Sequence, residues 1–261
     1  MNSPAEIAKN YETVGAAKTK LPALRLLLLA ILAGAFIAIA GIGSTVGSAM
    51  IGNASAARLV SACIFPAGLA MVLIAGSELF TGNCLIVISV LQKKATIGGM
   101  LRNWAIVYIG NLIGAVLIAA LVVYGHTLSL YDGALAQTVV RTAQGKASLT
   151  FGDALIRGIL CNVLVCIAVW MSFAATTVSG KVVGLFFPIF IFVLCGFEHC
   201  VANMYYLPVG LMAMLEYGIS VDGLTIGTAL LHNLLPVTLG NLIGGVGIGT
   251  IYWAIYRKGT P

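Results

Sequence analysis

"GSELFTGN" at residues 76–83 and "GFEHCVAN" at residues 196–203 obey one pattern, G-x-E-x-x-x-x-N, at a constant offset of 120. Each word sits in the middle of a long apolar segment, 59–92 and 182–215. As straight helices these segments would each measure roughly 50 Å at 1.5 Å per residue, against about 30 Å of bilayer hydrocarbon. Tilt absorbs part of that excess. The glycine and polar residues at each centre point instead to a break, since irregular backbone is tolerated at membrane depth where it is buried in protein or lines a cavity.

Working outward, further apolar segments lie at 26–51, 104–124, 154–173 and 228–256, which gives six membrane units in all. Only 8% of the 261 residues are charged and 60% are hydrophobic, where a soluble domain carries about 25% charged residues. No polar block is long enough for a soluble domain. The expectation is a single transmembrane domain over 26–256, preceded by a helix within 1–25 and followed by a short tail, 257–261. Ile7, Tyr11, Val14 and Leu21 follow helical spacing among polar residues, as in an amphipathic helix at a membrane face. Glu6 and Glu12, with the length of the first apolar run, argue against a cleaved leader.

A second repeated word strengthens the first. "GNLIG" at 110–114 recurs at 240–244, with Asn103 and Asn233 upstream, at an offset of 130. The chain therefore reads as two repeats, about 26–124 and 154–256. Each holds three spans, an odd number, so the second enters the membrane inverted. Such repeats with discontinuous helices place a substrate path near the midplane, at their interface. The fold expectation is an all-α integral membrane protein of six transmembrane helices in two inverted three-helix repeats.

The formal charge of +6 would hint at nucleic acid on a soluble protein. Here the cations fall in short loops and report orientation. Ten of fourteen Lys and Arg, with Arg257 and Lys258 among them, lie on the side of the N-terminus. Arg58, Arg141, Lys146 and Arg157 lie on the other. Both termini are expected in the cytoplasm, and no nucleic-acid partner is expected. The six cysteines form no CxxC pair and no His cluster completes a metal set; they read as small apolar packing residues, so no metal or cofactor is expected.

Three ionisable groups fall at the deep centres: Glu78, Glu198 and His199. A charge there costs at least about 2.5–3.5 kcal/mol on insertion scales. The two glutamates are repeat-related and read as scaffold, each accepting backbone N–H groups where its helix restarts. Asn83 and Asn203 read as braces of the same breaks. His199 has Leu79 as its repeat partner, so the repeat does not demand a histidine. It is either a hydrogen-bonded packing residue or a pore residue that handles protons near neutral pH, with Thr81 in the facing break as a hydroxyl partner. Lys146, in the segment 125–153 read as an outside loop, is either a solvated lysine or an attractor for anions.

Taken together, "GSELFTGN", "CNVLVCIAVWM" (161–171), "GFEHCVANM" and "NLLPVTLGNLIGG" (233–245) resemble the formate/nitrite transporter family, which includes hydrosulfide channels. The resemblance covers essentially the whole chain. It implies an aquaporin-like fold, a homopentamer in the inner membrane with one pore per protomer, and passage of formate, nitrite or hydrosulfide linked to protons. It further implies a central histidine at His199, its hydroxyl partner at Thr81 and a charged lysine at Lys146. Asn162 and Asn241 fall on polar pore positions, Phe65, Leu69 and Phe192 on an outer constriction, and Leu79 on an inner one.

Two rival classes fit less well. An aquaporin-like channel for small neutral solutes would carry Asn-Pro-Ala at both breaks, and neither break does. An enzyme would need a second-His motif, a serine elbow or a metal set, and the chain carries none of these signatures.

Overall fold

A computed structural model describes residues 1–256 and is helical throughout. The helices are α1 (Pro4–Thr19), α2 (Ala23–Ser48), α3 (Ala54–Gly76), α4 (Gly82–Leu91) and α5 (Ile97–Tyr124). They continue as α6 (Ala134–Ala147), α7 (Phe151–Ala174), α8 (Val178–Leu194), α9 (Cys200–Glu216) and α10 (Ile226–Tyr256). The six expected units are α2, α3–α4, α5, α7, α8–α9 and α10. The breaks fall at 77–81 and 195–199, on the two repeated words. The expected tail 257–261, with Arg257 and Lys258, lies outside the described residues.

Local chemistry sets these boundaries. Asn53, Thr96, Thr150, Thr177 and Thr225 each accept the third backbone N–H of the helix that follows. Gly76 (φ +86°) and Gly196 (φ +68°) turn the chain left-handed where α3 and α8 end, a conformation that suits glycine because it has no Cβ.

The glycines of the "GNLIG" words seat two close helix pairs. A Cβ on Gly114 would fall 2.0 Å from the carbonyl oxygen of Ile31, and one on Gly244 would fall 2.2 Å from that of Ile159. Backbone therefore packs on backbone, α2 against α5 and α7 against α10, as small residues permit in a membrane.

Two short helices complete the symmetry. α1 buries Ile7 and Tyr11 against α4, where Tyr11 Oη donates to the Gly82 carbonyl at 3.2 Å. Its apolar face is thus covered by protein. The segment 125–153, expected as a loop, contains α6, which buries Leu135, Ala136, Val139, Val140 and Ala143. That is helical spacing in a stretch of only fourteen residues, diluted by Thr, Gln and Arg. At Gly210 of α9 the Ala143 methyl comes so close that a Cβ would lie 2.2 Å from it, and at Gly15 of α1 a Cβ would lie 2.2 Å from Ser89 Oγ of α4. α1 and α6 thus hold equivalent places in the two halves.

Candidate functional site

The two breaks are held by twin asparagines. Asn111 Oδ1 accepts from the Phe80 N–H at 2.9 Å, and its Nδ2 donates to the carbonyls of Ala30 and Glu78. Asn241 Oδ1 accepts from the Cys200 N–H at 2.8 Å, and its Nδ2 donates to those of Gly158 and Glu198. Each amide closes three backbone groups that would otherwise be orphaned in a dry interior. The backbone repeats the relation: Glu78 N donates to Leu29 O and Glu198 N to Arg157 O. In this frame Leu29 and Arg157 are equivalent.

The carboxylates do a different job from the one expected. Among the described residues no backbone N–H reaches them. Glu78 accepts from Lys18 Nζ at 2.7 Å and Asn83 Nδ2 at 2.7 Å. Glu198 accepts from Lys146 Nζ at 3.0 Å through both oxygens, from Asn203 Nδ2 at 2.6 Å and from Asn233 Nδ2 at 3.2 Å. Asn83 and Asn203 also donate to Asn103 and Asn233. The lysines come from α1 and α6, so those helices are tied to the breaks by partly buried ion pairs. Lys146 is not a solvated lysine: its side chain is only 17% exposed and its ammonium lies 5.3 Å from the centre of the Tyr206 ring.

Beyond α4, Glu12 of α1 pairs with Lys94 and Gln92. Outside the spans, burial pushes the Tyr11 phenol well above its ordinary pKa, so the phenol keeps the proton that it donates to Gly82 O. The capping box with Ser3 pulls Glu6 below the usual carboxylate range.

The breaks differ where the repeat departs from identity. His199 caps α9, its Nδ1 accepting the Ala202 N–H at 3.1 Å. Nε2 lies 2.8 Å from Thr81 Oγ1 in the other break. Because Nδ1 is an acceptor, the neutral ring carries its proton on Nε2 and donates it to Thr81. The Thr81 hydroxyl proton is then free for another acceptor. The Thr81 carbonyl is fixed from behind by Asn162 Nδ2 at 3.3 Å and Cys166 Sγ at 3.6 Å.

Two cavities approach this bond. One, of about 750 Å³, is lined by Arg58, Arg141, Lys146, Arg157 and Glu198, and reaches Phe65, Phe192 and His199. The other, of about 650 Å³, is lined by Tyr11, Lys18, Arg25 and Lys181, and reaches Glu78, Leu69 and Leu79. They are called here the α6 and α1 vestibules. Phe65 and Phe192 meet edge-to-face with ring centres 5.6 Å apart, and Phe192 lies 6.0 Å from the His199 ring. Phe65, Leu69, Leu79 and Phe192 are each no more than 4% exposed. Thr81, Asn162 and Asn241 are fully buried and line neither vestibule. Asn162 donates its amide to the carbonyls of Thr81 and Asn241, so both asparagines work on backbone behind the breaks.

The profile of the family described as "Formate/nitrite transporter" matches residues 5–254. The chain belongs to that family. A "Probable formate transporter" of Methanothermobacter thermautotrophicus is 40% identical over 98% of this chain and 97% of its own length. The "Formate channel FocA" of Escherichia coli (strain K12) is 36% identical over 98% and 94%. Among solved structures, a "Pentameric formate channel with formate bound" superposes with a TM-score of 0.80 at 35% identity, covering 90% of this chain and 98% of that one. An "FNT family ion channel" gives 0.88 at 29% identity, covering 98% and 99%. The inverted-repeat helical fold and the transporter class of this membrane protein follow from membership.

Reasoning from the sequence missed Asn111 as the twin of Asn241, and Lys18 as the partner of Glu78. A signal existed for the first, since Asn111 lies within a repeated word; Lys18 and Lys146 are 128 residues apart, an offset that neither repeated word shares.

Proposed function

We propose that the chain forms a homopentamer of channels in the inner membrane, each protomer passing formate and similar monovalent anions of weak acids, nitrite and hydrosulfide among them, coupled to a proton. The termini, and so the α1 vestibule, face the cytoplasm; the loop charges support this orientation. The observation that carries the reading is the His199–Thr81 hydrogen bond between two cation-lined vestibules that end on apolar side chains. Bare charge is costly between Phe65, Phe192, Leu69 and Leu79. A low dielectric raises the pKa of an acid, so the anion takes a proton from vestibule water and crosses the constriction as the neutral acid. The Thr81 hydroxyl, held by His199, donates to its oxygen in passing. Asn162 holds the Thr81 carbonyl, and Asn241 keeps His199 at the start of α9. Lys146 and Glu198 present a neutral pair.

The test is a flux panel in proteoliposomes with formate, nitrite, hydrosulfide, acetate, chloride and glycerol at two pH values. Formate flux should rise as pH falls, and chloride and glycerol should be excluded. Glycerol passage with formate excluded would return the protein to the neutral-solute class.

A further inference from the structure

Four cations line the α6 vestibule, and only one of them is spent. Lys146 holds both oxygens of Glu198, whereas Arg58, Arg141 and Arg157 make no ion pair among the described residues. Arg58 occupies a built position. Its Nη1 lies 2.7 Å from where a Cβ on Gly196 would stand, so the absence of a side chain lets the guanidinium settle onto the break. The equivalent Gly76 has nothing within 4 Å of that point. Arg157, whose carbonyl receives Glu198 N, occupies the place held by Leu29 in the other half. Two of the three arginines are therefore departures from the repeat, on one side of the membrane only.

Each guanidinium offers a planar fork of N–H donors that suits oxyanions. Three free ones around a single cavity of about 750 Å³ provide more charge than one monovalent ion can neutralise. The floor of that cavity, Phe65 and Phe192, rejects an ion that keeps its charge and its water. We propose that the α6 vestibule is a binding site for tetrahedral multivalent oxyanions such as inorganic phosphate or sulfate. Such an ion is held by Arg58, Arg141 and Arg157, cannot pass the constriction, and competes with the transported anion. The competition rests on the channel reading given above; the binding site does not.

Binding is measured first, without transport, by phosphorus NMR line broadening of inorganic phosphate on the purified full-length protein at low ionic strength. Saturable binding is expected, with Arg58→Gln and Arg157→Gln each weakening it about tenfold, as a lost hydrogen bond to a charged group would. Arg141→Gln, on the exposed face of α6, keeps the test open if either of the others fails to fold. Lys9→Gln on α1 should leave the affinity unchanged. Sulfate should displace the phosphate, and gluconate at matched ionic strength should not. In proteoliposomes, phosphate on the α6 side should raise the apparent KM for formate without lowering the maximal rate. Absence of saturable binding, equal binding by the arginine variants, or equal displacement by gluconate would each overturn the site. Arginine-dependent binding in a protein that carries no formate would keep the site and sink the channel reading instead.

Discussion

The two breaks share a frame and differ in what fills it. In both, an asparagine closes the backbone, a glutamate holds a lysine from a peripheral helix, and a second asparagine bridges to a third. His199 against Leu79 and Arg157 against Leu29 are where they part. Asn111 and Asn241 answer the same problem twice, namely unsatisfied polar backbone in a dry interior, and the Glu–Lys pairs tie a peripheral helix to each break. The unmatched groups occur once: His199 both caps α9 and reaches Thr81 in the other break, and it is to these groups that the proposed function gives the chemistry.

The frame can be broken at its amides. Asn111→Leu and Asn241→Leu each strand three buried backbone groups, at about 1–3 kcal/mol per group. Both should fail to give folded protein, or should melt far below the wild type in detergent, and by similar amounts. A large loss in one alone would mean that the halves are not equivalent.

The repeat, the breaks and the six units were legible in the sequence because they rest on local words and on length. "GNLIG" announced both a packing glycine and a brace, although only its recurrence was readable. The partner of each glutamate was not legible. Lys18 and Glu78 are 60 residues apart and Lys146 and Glu198 are 52 apart, and pairing over such distances is decided by tertiary packing. α6 escaped notice for a different reason: its apolar face spans only fourteen residues and is diluted by Thr, Gln and Arg. The bond from His199 to Thr81 was expected from their places in facing breaks. The Nε2–H tautomer follows from the Ala202 cap, which only the folded chain displays.

The ion pairs come next in size. Lys18→Met and Lys146→Met each leave a buried carboxylate without its cation. Removing one partner of such a pair costs about 3 kcal/mol or more. Adding Glu78→Gln or Glu198→Gln in the same half should recover most of it. Thermal melts of the singles and doubles check this, and a double no better than its single would show that the lysine stem, not its charge, matters.

His199 tests the unmatched position. His199→Leu copies the other break and removes the α9 cap, worth about 1 kcal/mol. His199→Asn keeps a cap acceptor but loses the reach to Thr81. Formate flux should be at least about tenfold lower in both, the equivalent of 1.4 kcal/mol, while only the leucine variant loses stability. Full flux in the asparagine variant would confine His199 to capping.

The smallest effect separates α1 from α6. α1 starts with a capping box, in which Ser3 accepts from the Glu6 N–H while Glu6 accepts from Ser3. α6 starts at Gly133 with no side-chain cap. The cap depresses the Glu6 pKa in the folded state. Its stabilisation is therefore present above the unfolded value, near 4.5, and is lost as pH falls through the lower folded value. On acidification below that point, hydrogen-exchange protection should fall in the first turn of α1 and hold at the start of α6. Ser3→Ala should produce the same local loss at neutral pH, and it should do so without loosening Lys18 from Glu78 at the far end of the helix, because fraying is confined to the first turn. If the loss instead spread to residue 18, α1 would be held by its cap and not by its ion pair. The equivalence with α6, which has a pair and no such cap, would then fail.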